Sequence, residues 1–284
     1  MTLRATDGVD LRGDVAFPTI NVMGVPIAAV DGDEAIEIFA ALVDRPRPAQ
    51  VAFVNAHTLN LAYKDSKYRR VLEETDLVLR DGIGVEIAGR LRRASFPENL
   101  NGTDFTPVLL QWIADNQKTV YLLGGQPGVA QQAAARFEDR FPGLKVVGTQ
   151  HGMYDLRDEY EMVRSIRQTA PDVLIVALGN PLQEQFLARH LDQLGVGVGV
   201  GVGAFLDFSV GKVKRAPALA NRLGIEWCFR LVQEPRRLWR RYLLGIPTFL
   251  GRSMLSRRAD FSETAADAHA LEHREYSTGW GSLR

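Results

Sequence analysis

Cysteine is almost absent. The 284 residues hold one, Cys228. No intramolecular disulfide framework is available, and a reducing compartment fits. Long apolar runs are missing too. No stretch reaches the roughly 18 residues expected of a membrane-spanning helix. The longest candidate, Val196 to Phe208, is a Gly-Val alternation broken at Asp207. The first fourteen residues are polar, carry three aspartates and offer no apolar core for a secretory leader. Net charge is also lacking, at 34 basic against 34 acidic residues. What remains is 46% hydrophobic, enough to bury a substantial core in one large domain or a domain with an appendage.

The zero sum hides an uneven distribution. Between Gly211 and Arg258 there are twelve Lys/Arg against two acids, Glu226 and Glu234. Such a segment either meets an anionic partner or is a solvated basic face. Within it, Gly224 to Glu234 reads as a helix and Pro235 opens another. Leu238, Trp239, Tyr242, Leu243 and Ile246 share one helical face, with Arg236, Arg237, Arg240 and Arg241 opposite. That pattern suits an interfacial membrane helix, and equally a docked surface helix.

Upstream, the chain alternates short apolar runs with amphipathic helices. Thr19 to Val30 predicts a small hairpin and Glu34 to Leu42 a first helix. Val51 to Val54 is a strand, followed by Asn55 and a helix to about Glu74. Leu77 to Leu79 is a strand ending at Asp81-Gly82. Phe105 to Asn116 predicts a helix. Thr119 to Leu123 turns through Gly124-Gly125 into the helix Val129 to Arg140. Asp172 to Leu178 leads to Gly179-Asn180-Pro181, with Asn180 as N-cap and Pro181 at the first helical position. Gly195 to Gly203 places glycine at every odd position and valine at every even one. As a strand it has one bare face, where a backbone or a ligand can approach closely.

This β-α order predicts a Rossmann-like parallel sheet flanked by helices, with a basic helical C-terminal appendage. Its divisions are a flexible N-terminus (1–16), a catalytic domain (17–210), the appendage (211–250) and a polar, disordered tail (251–284). Asn55, Asp81, Gly124-Gly125, Gln183 and Asp207 fall along one sheet edge, where α/β proteins bind ligands. Each also has a bland role: Asp81 and Asn55 as helix caps, the glycines as a turn, and Glu184 as a partner of the helix dipole. The fingerprints G-x-G-x-x-G and P-loop lysine are absent.

Several motifs stand in register over about residues 20–245. They are Val54-Asn55-Ala56, Asp76-Leu77 with Asp81-Gly82-x-Gly84, Asn101-Gly102-x-Asp104, Tyr121 to Gly125 and Ala177-Leu178-Gly179-x-Pro181-x-Gln183-Glu184. To these add Gly201-Val202-Gly203, Gly211 to Pro217, and Leu223-Gly224-x-Glu226-Trp227-x-x-Arg230-Leu231 with Glu234-Pro235-x-Arg237. On these residues the chain resembles the WecG/TagA/CpsF family of bacterial glycosyltransferases. The resemblance implies inverting transfer of a hexosyl or N-acetylhexosaminyl group from a UDP-sugar to an undecaprenyl-diphosphate-linked sugar, in exopolysaccharide or cell-envelope glycan assembly. It implies work done peripherally at the inner face of the cytoplasmic membrane. It makes Asp81 the base and Asn55, Gln183 and Asp207 donor-pocket residues, to which the Gly124-Gly125 turn, able on its own reading to hold phosphate at a helix N-terminus, is added. Arg237 and Arg240 become stabilisers of the leaving diphosphate. Arg230, matched by the resemblance, and Arg236, Arg241 and Trp239 of the basic helix become expected contacts to the acceptor diphosphate or the membrane.

No metal site and no cofactor are assigned, the UDP-sugar being a substrate. No nucleic-acid partner is expected, and a homo-oligomer stays open. Two departures bear on the donor sugar. Phe53 stands where many members carry Thr, and Asn99 stands where many carry Arg. The rival readings are a nucleotide-cofactor oxidoreductase and a non-enzymatic, membrane-docked scaffold.

Overall fold

The computed structural model describes residues 8–10, 15–153, 159–212, 226–233 and 235–256. It opens with an antiparallel sheet of β1 (Gly8–Asp10), β2 (Phe17–Val22) and β3 (Val25–Ala28). The hairpin β2-β3 is the expected one, turning at Met23-Gly24. β1 is not expected from the sequence. Gly8 to Asp10 pair with Phe17 to Thr19, so part of the supposedly loose N-terminus satisfies the open edge of β2.

The main sheet has six parallel strands: β4 (Ala49–Val54), β5 (Leu77–Arg80), β6 (Thr119–Gly124), β7 (Lys145–Gln150), β8 (Val173–Ala177) and β9 (Val198–Gly201). Their order is β5-β4-β9-β8-β6-β7. Alternate residues feed opposite faces, as the strand period requires. Val51, Phe53, Leu79, Val120, Ile175 and Val200 face one core. It is closed by α1 (Gly32–Asp44), α5 (Gly102–Asp115), α6 (Val129–Arg140) and α9 (Phe205–Ser209).

Behind the sheet, Ala52, Val54 and Val78 pack with α2 (Ala56–Lys64), α3 (Ser66–Glu74), α4 (Ile83–Leu91) and the hairpin. Further along that face, Tyr121, Leu123, Leu174 and Val176 meet α7 (Glu159–Thr169) and α8 (Leu182–Leu194). The long helix expected up to Glu74 is two helices. Asp65 ends α2 and caps α3, accepting from the Lys67 and Tyr68 amides.

The bare face of β9 has a definite occupant. A Cβ on Gly199 would collide with the Leu187 side chain, and one on Gly201 would lie 2.9 Å from Gln183 Nε2. Glycine there lets α8 sit directly on the strand, so the space belongs to a helix and not to a ligand.

The appendage contains α10 (Glu226–Gln233), α11 (Pro235–Trp239), a π-helical turn (Arg240–Leu244) and α12 (245–256). The last helix runs six residues past the expected boundary at 250. It is anchored by Phe249, fully buried among α2, α4 and hairpin residues. Among the described residues no helix is long and apolar enough to cross a membrane. Lys214 and Arg215, and the tail from 257, lie outside the described residues.

Candidate active site

Parallel strands deliver their carboxyl ends to one edge, and the exits decide where that edge opens. α2 leaves β4 behind the sheet, and α8 leaves β8 on the same side. α9 leaves β9, between them, on the opposite side. Diverging exits open a crevice, the usual ligand site in such sheets. An added Cβ at Gly82, Gly179 or Gly203, at the ends of β5, β8 and β9, would meet nothing within 4 Å.

Asp81 follows β5 directly. Its amide donates to the Val54 carbonyl at 2.8 Å, extending the ladder by one residue. Its Oδ2 accepts from Asn55 Nδ2 at 3.0 Å. Asn55 caps α2 with its other end, Oδ1 taking the amides of His57 (3.0 Å) and Thr58 (3.2 Å). Asn55 thus caps a helix and reaches the site at once. The Gly82 amide donates to Asn99 Oδ1 at 2.8 Å, so the loop after Asp81 is fixed from the opposite wall. That wall is held in turn by buried Arg80, whose Nε donates to the Glu98 carbonyl at 3.0 Å and whose Nη1 pairs with Glu86 at 3.2 Å. Burial depresses the Arg80 pKa, and the Glu86 charge opposes that shift.

The appendage reaches this point with one described side chain. Arg241 Nη2 lies 3.5 Å from Asn55 Oδ1, at the outer limit of hydrogen bonding. His57 beside it is pushed down to about 4, first by burial and then by the Arg241 charge, so its imidazole is neutral at pH 7. Arg240, expected in the chemistry, is exposed and lies over the Trp239 ring at 5.2 Å. A π turn begins at Arg240, and its wider repeat moves successive side chains off their 3.6-residue positions. Leu238 is buried, while Trp239, Leu243 and Leu244 are exposed, so the predicted apolar face is divided between core and solvent. Arg236 is exposed. The side chains of Arg230 and Arg237 lie outside the described residues.

The remaining expected residues separate. Gln183 is 1% exposed. Its Oε1 accepts the amides of Gly179 (3.1 Å) and Gly203 (2.9 Å), tying together the exits of β8 and β9. Asp207 is not at a strand end. It lies in the first turn of α9, half-buried, beyond β9. Gly124-Gly125 stands four strands from β5, roughly 19 Å away at ordinary strand spacing. A Cβ on Gly124 would collide with the Ala177 carbonyl, and one on Gly125 would come within 2.7 Å of Val129. This turn is filled by protein and is not brought to Asp81.

The α8 start also differs. Pro181 occupies the N-cap position and Asn180 Nδ2 goes to Glu184 Oε1 at 2.5 Å. Glu184 itself is wholly buried. It also accepts from Gln183 Nε2 at 2.8 Å and from the Tyr68 hydroxyl at 3.1 Å. Burial raises its pKa to about 7, against the pull of these hydrogen bonds.

A cleft of about 440 Å³ opens beside the Asp81 loop, lined by Asp31, Asp33, Ile36, Asn99, Asp104 and Val108 among others. Asp31 and Asp33 stand at Asp-x-Asp spacing at the start of α1. Asp31 Oδ1 caps α1 through the Glu34 amide at 3.0 Å. Among the described residues no group of three potential metal ligands comes together. Phe53, one of the two departures, points into the core, where a Cβ on Gly102 of α5 would touch its ring at 3.1 Å. Asn99 is the departure that lies at the site.

The sequence profile of the Glycosyl transferase WecG/TagA/CpsF family matches residues 20–262. The chain belongs to this family. Among its relatives is the N-acetylglucosaminyldiphosphoundecaprenol N-acetyl-beta-D-mannosaminyltransferase of Bacillus subtilis (strain 168), 31% identical over 207 residues, 73% of this chain and 79% of that one. The protein of the same name from Bacillus spizizenii (strain W23) is 31% identical over 217 residues, 76% and 83% of the two chains. That from Staphylococcus aureus (strain MW2) is 28% identical over 200 residues, 70% and 77%. The chain is thus a glycosyltransferase, and the oxidoreductase and scaffold readings are set aside.

Proposed function

We propose that this glycosyltransferase moves a hexosyl or N-acetylhexosaminyl group from a UDP-sugar to a polyprenyl-diphosphate-linked saccharide, with inversion and without a metal. The observation that carries this reading is Asp81. Its backbone amide donates to the Val54 carbonyl and its carboxylate accepts from Asn55 Nδ2 at the crevice edge, in a family whose relatives are named for N-acetylmannosaminyl transfer to N-acetylglucosaminyl-diphosphoundecaprenol.

Asp81 takes the proton of an acceptor hydroxyl. The oxygen attacks the anomeric carbon from the face opposite UDP, and the C–O bond to the diphosphate breaks. Charge then grows on the UDP oxygens. Arg241, already beside Asn55, is the described cation best placed to receive it, with Arg237 a further candidate of the same segment. Exposed Trp239, Leu243 and Leu244, with Arg236 and Arg240 on the same segment, give the appendage the amphipathic composition of a surface-bound helix at the cytoplasmic face. The donor sugar is set in part by Asn99, and N-acetylmannosamine is the first to try.

The test is UDP release from a panel of UDP-hexoses with a short-chain polyprenyl-diphosphate-sugar. Acceptor-dependent release with one donor supports the assignment and names the sugar. Asp81→Asn should lower kcat by roughly 10²–10⁴ while UDP still binds. Full turnover in that variant removes Asp81 as base.

A further inference from the structure

The least explained group in the molecule is Glu184. It is 0% exposed, its described hydrogen-bond partners are neutral side chains, and no cation appears among the groups shifting its titration. A carboxylate in that position is costly for a fold. As a partner for the α8 dipole it would do as well in water. Its placement answers a different need.

Gln183, the neighbouring residue, has an amide with two possible orientations, and hydrogen bonding decides between them. In the observed one, Oε1 faces the amides of Gly179 and Gly203, and Nε2 faces Glu184 Oε1. Reversed, an NH₂ would oppose two N–H donors and an oxygen would oppose a carboxylate. Glu184 therefore acts with the two backbone amides to select the working orientation. The same oxygen takes Asn180 Nδ2 on the β8 exit. The Glu184 backbone carbonyl accepts from Gln50 Nε2 of β4 at 3.2 Å, and its second oxygen is held by Tyr68 of α3. On the remaining side Gly201 leaves just enough room for Gln183. One buried residue thus connects β4, the β8 exit and the β9 exit, which border the open crevice.

We propose that Glu184 is a positioning residue for donor binding: by orienting the Gln183 amide it locks the Gly179 and Gly203 loops together. This rests on the reading of that crevice as the donor site. What it requires is an acceptor oxygen rather than a charge. Glu184→Gln keeps one oxygen for Asn180 and Gln183, and the Tyr68 hydroxyl can turn to accept from the new NH₂. Glu184→Leu removes the acceptor at similar volume. Gly201→Ala crowds Gln183 Nε2 from the strand side and leaves Glu184 intact.

The experiment measures KM for donor and acceptor separately, with UDP affinity by calorimetry, on the full chain. Wild type that binds no UDP overturns the donor-site reading and the inference with it. With wild-type binding in hand, Glu184→Leu and Gly201→Ala should each raise donor KM about tenfold, the scale of one buried hydrogen bond lost, with acceptor KM unchanged. Glu184→Gln should stay within about threefold of wild type. Donor KM unchanged in both damaging variants overturns the proposal, as does a Glu184→Gln no better than Glu184→Leu. If Glu184→Leu does not fold, Gly201→Ala and Glu184→Gln decide the matter by the same readings.

Discussion

Replacing Glu184 by Gln should change how stability depends on pH. The ordinary carboxyl value is 4.5, and burial lifts Glu184 to about 7 in the fold. A group whose folded pKa is raised binds its proton more tightly in the native state. Its contribution is complete below about 4.5 and is lost as pH climbs through 7. A shift of this size corresponds to about 3 kcal/mol of differential stability between pH 4.5 and pH 8.5. The amide introduced by Glu184→Gln cannot ionise, so the variant escapes that loss. Other groups titrate alike in both proteins and cancel in the difference between them. For a chain of this length each kcal/mol moves Tm by roughly 2–4 °C. The Tm of Glu184→Gln relative to wild type should therefore rise by roughly 6–12 °C between pH 4.5 and pH 8.5. The assay is thermal unfolding by circular dichroism at half-unit pH steps, read as that difference. Parallel curves would refute the reasoning. They would mean that the fold solvates the carboxylate despite its full burial.

Three further outcomes follow from the same geometry. Asn55→Asp keeps the α2 cap but sets a second carboxylate where Nδ2 stood, 3.0 Å from Asp81 Oδ2. Tm should hold while kcat, read as UDP release, falls by roughly tenfold or more, since Asp81 loses its orienting amide donor and faces a like charge instead. Arg241→Gln should lower kcat by roughly 10²–10³, at least tenfold more than Arg240→Gln, measured as UDP release with a short-chain acceptor. Gly199→Ala drives a methyl into the Leu187 side chain and should cost about 1–3 kcal/mol in urea unfolding, the usual penalty for overpacking.

What the sequence revealed follows from how local each feature is. Asp81 and Asn55 are legible because an apolar run stops at them, and in a parallel sheet that stop is the ligand edge. The bare face of β9 is legible from period two. Its occupant is not, because Leu187 and Gln183 come from a helix that the alternation says nothing about. Periodicity puts Arg240 and Arg241 on one face and does not separate them, and nothing in Arg240 to Leu244 announces the π turn in which Arg240 is exposed and Arg241 lies beside Asn55. Glu184 misleads for a related reason. An acid in the first turn of a helix fits the dipole in water just as well, and only the meeting of α3, β4 and two glycine exits on it reveals burial. β1 is invisible in a polar segment without apolar alternation.

The site residues share one economy. Asn55 caps α2 with one end of its amide and holds Asp81 with the other. Asn99 fixes Gly82 while lining the cleft. Gln183 closes two loops while filling the space above Gly201. An amide suits this task because it donates and accepts at a fixed separation of about 2 Å and does not titrate. Asp81 is oriented through its backbone and one carboxylate oxygen by such neutral groups. Arg80, next to it in the chain, is buried and committed to Glu86 and the Glu98 carbonyl. On the mechanism proposed above, the cation that meets the departing diphosphate arrives on the appendage, as Arg241. On that mechanism Arg241→Gln leaves Asp81 held as before and takes away the group proposed to receive the leaving charge.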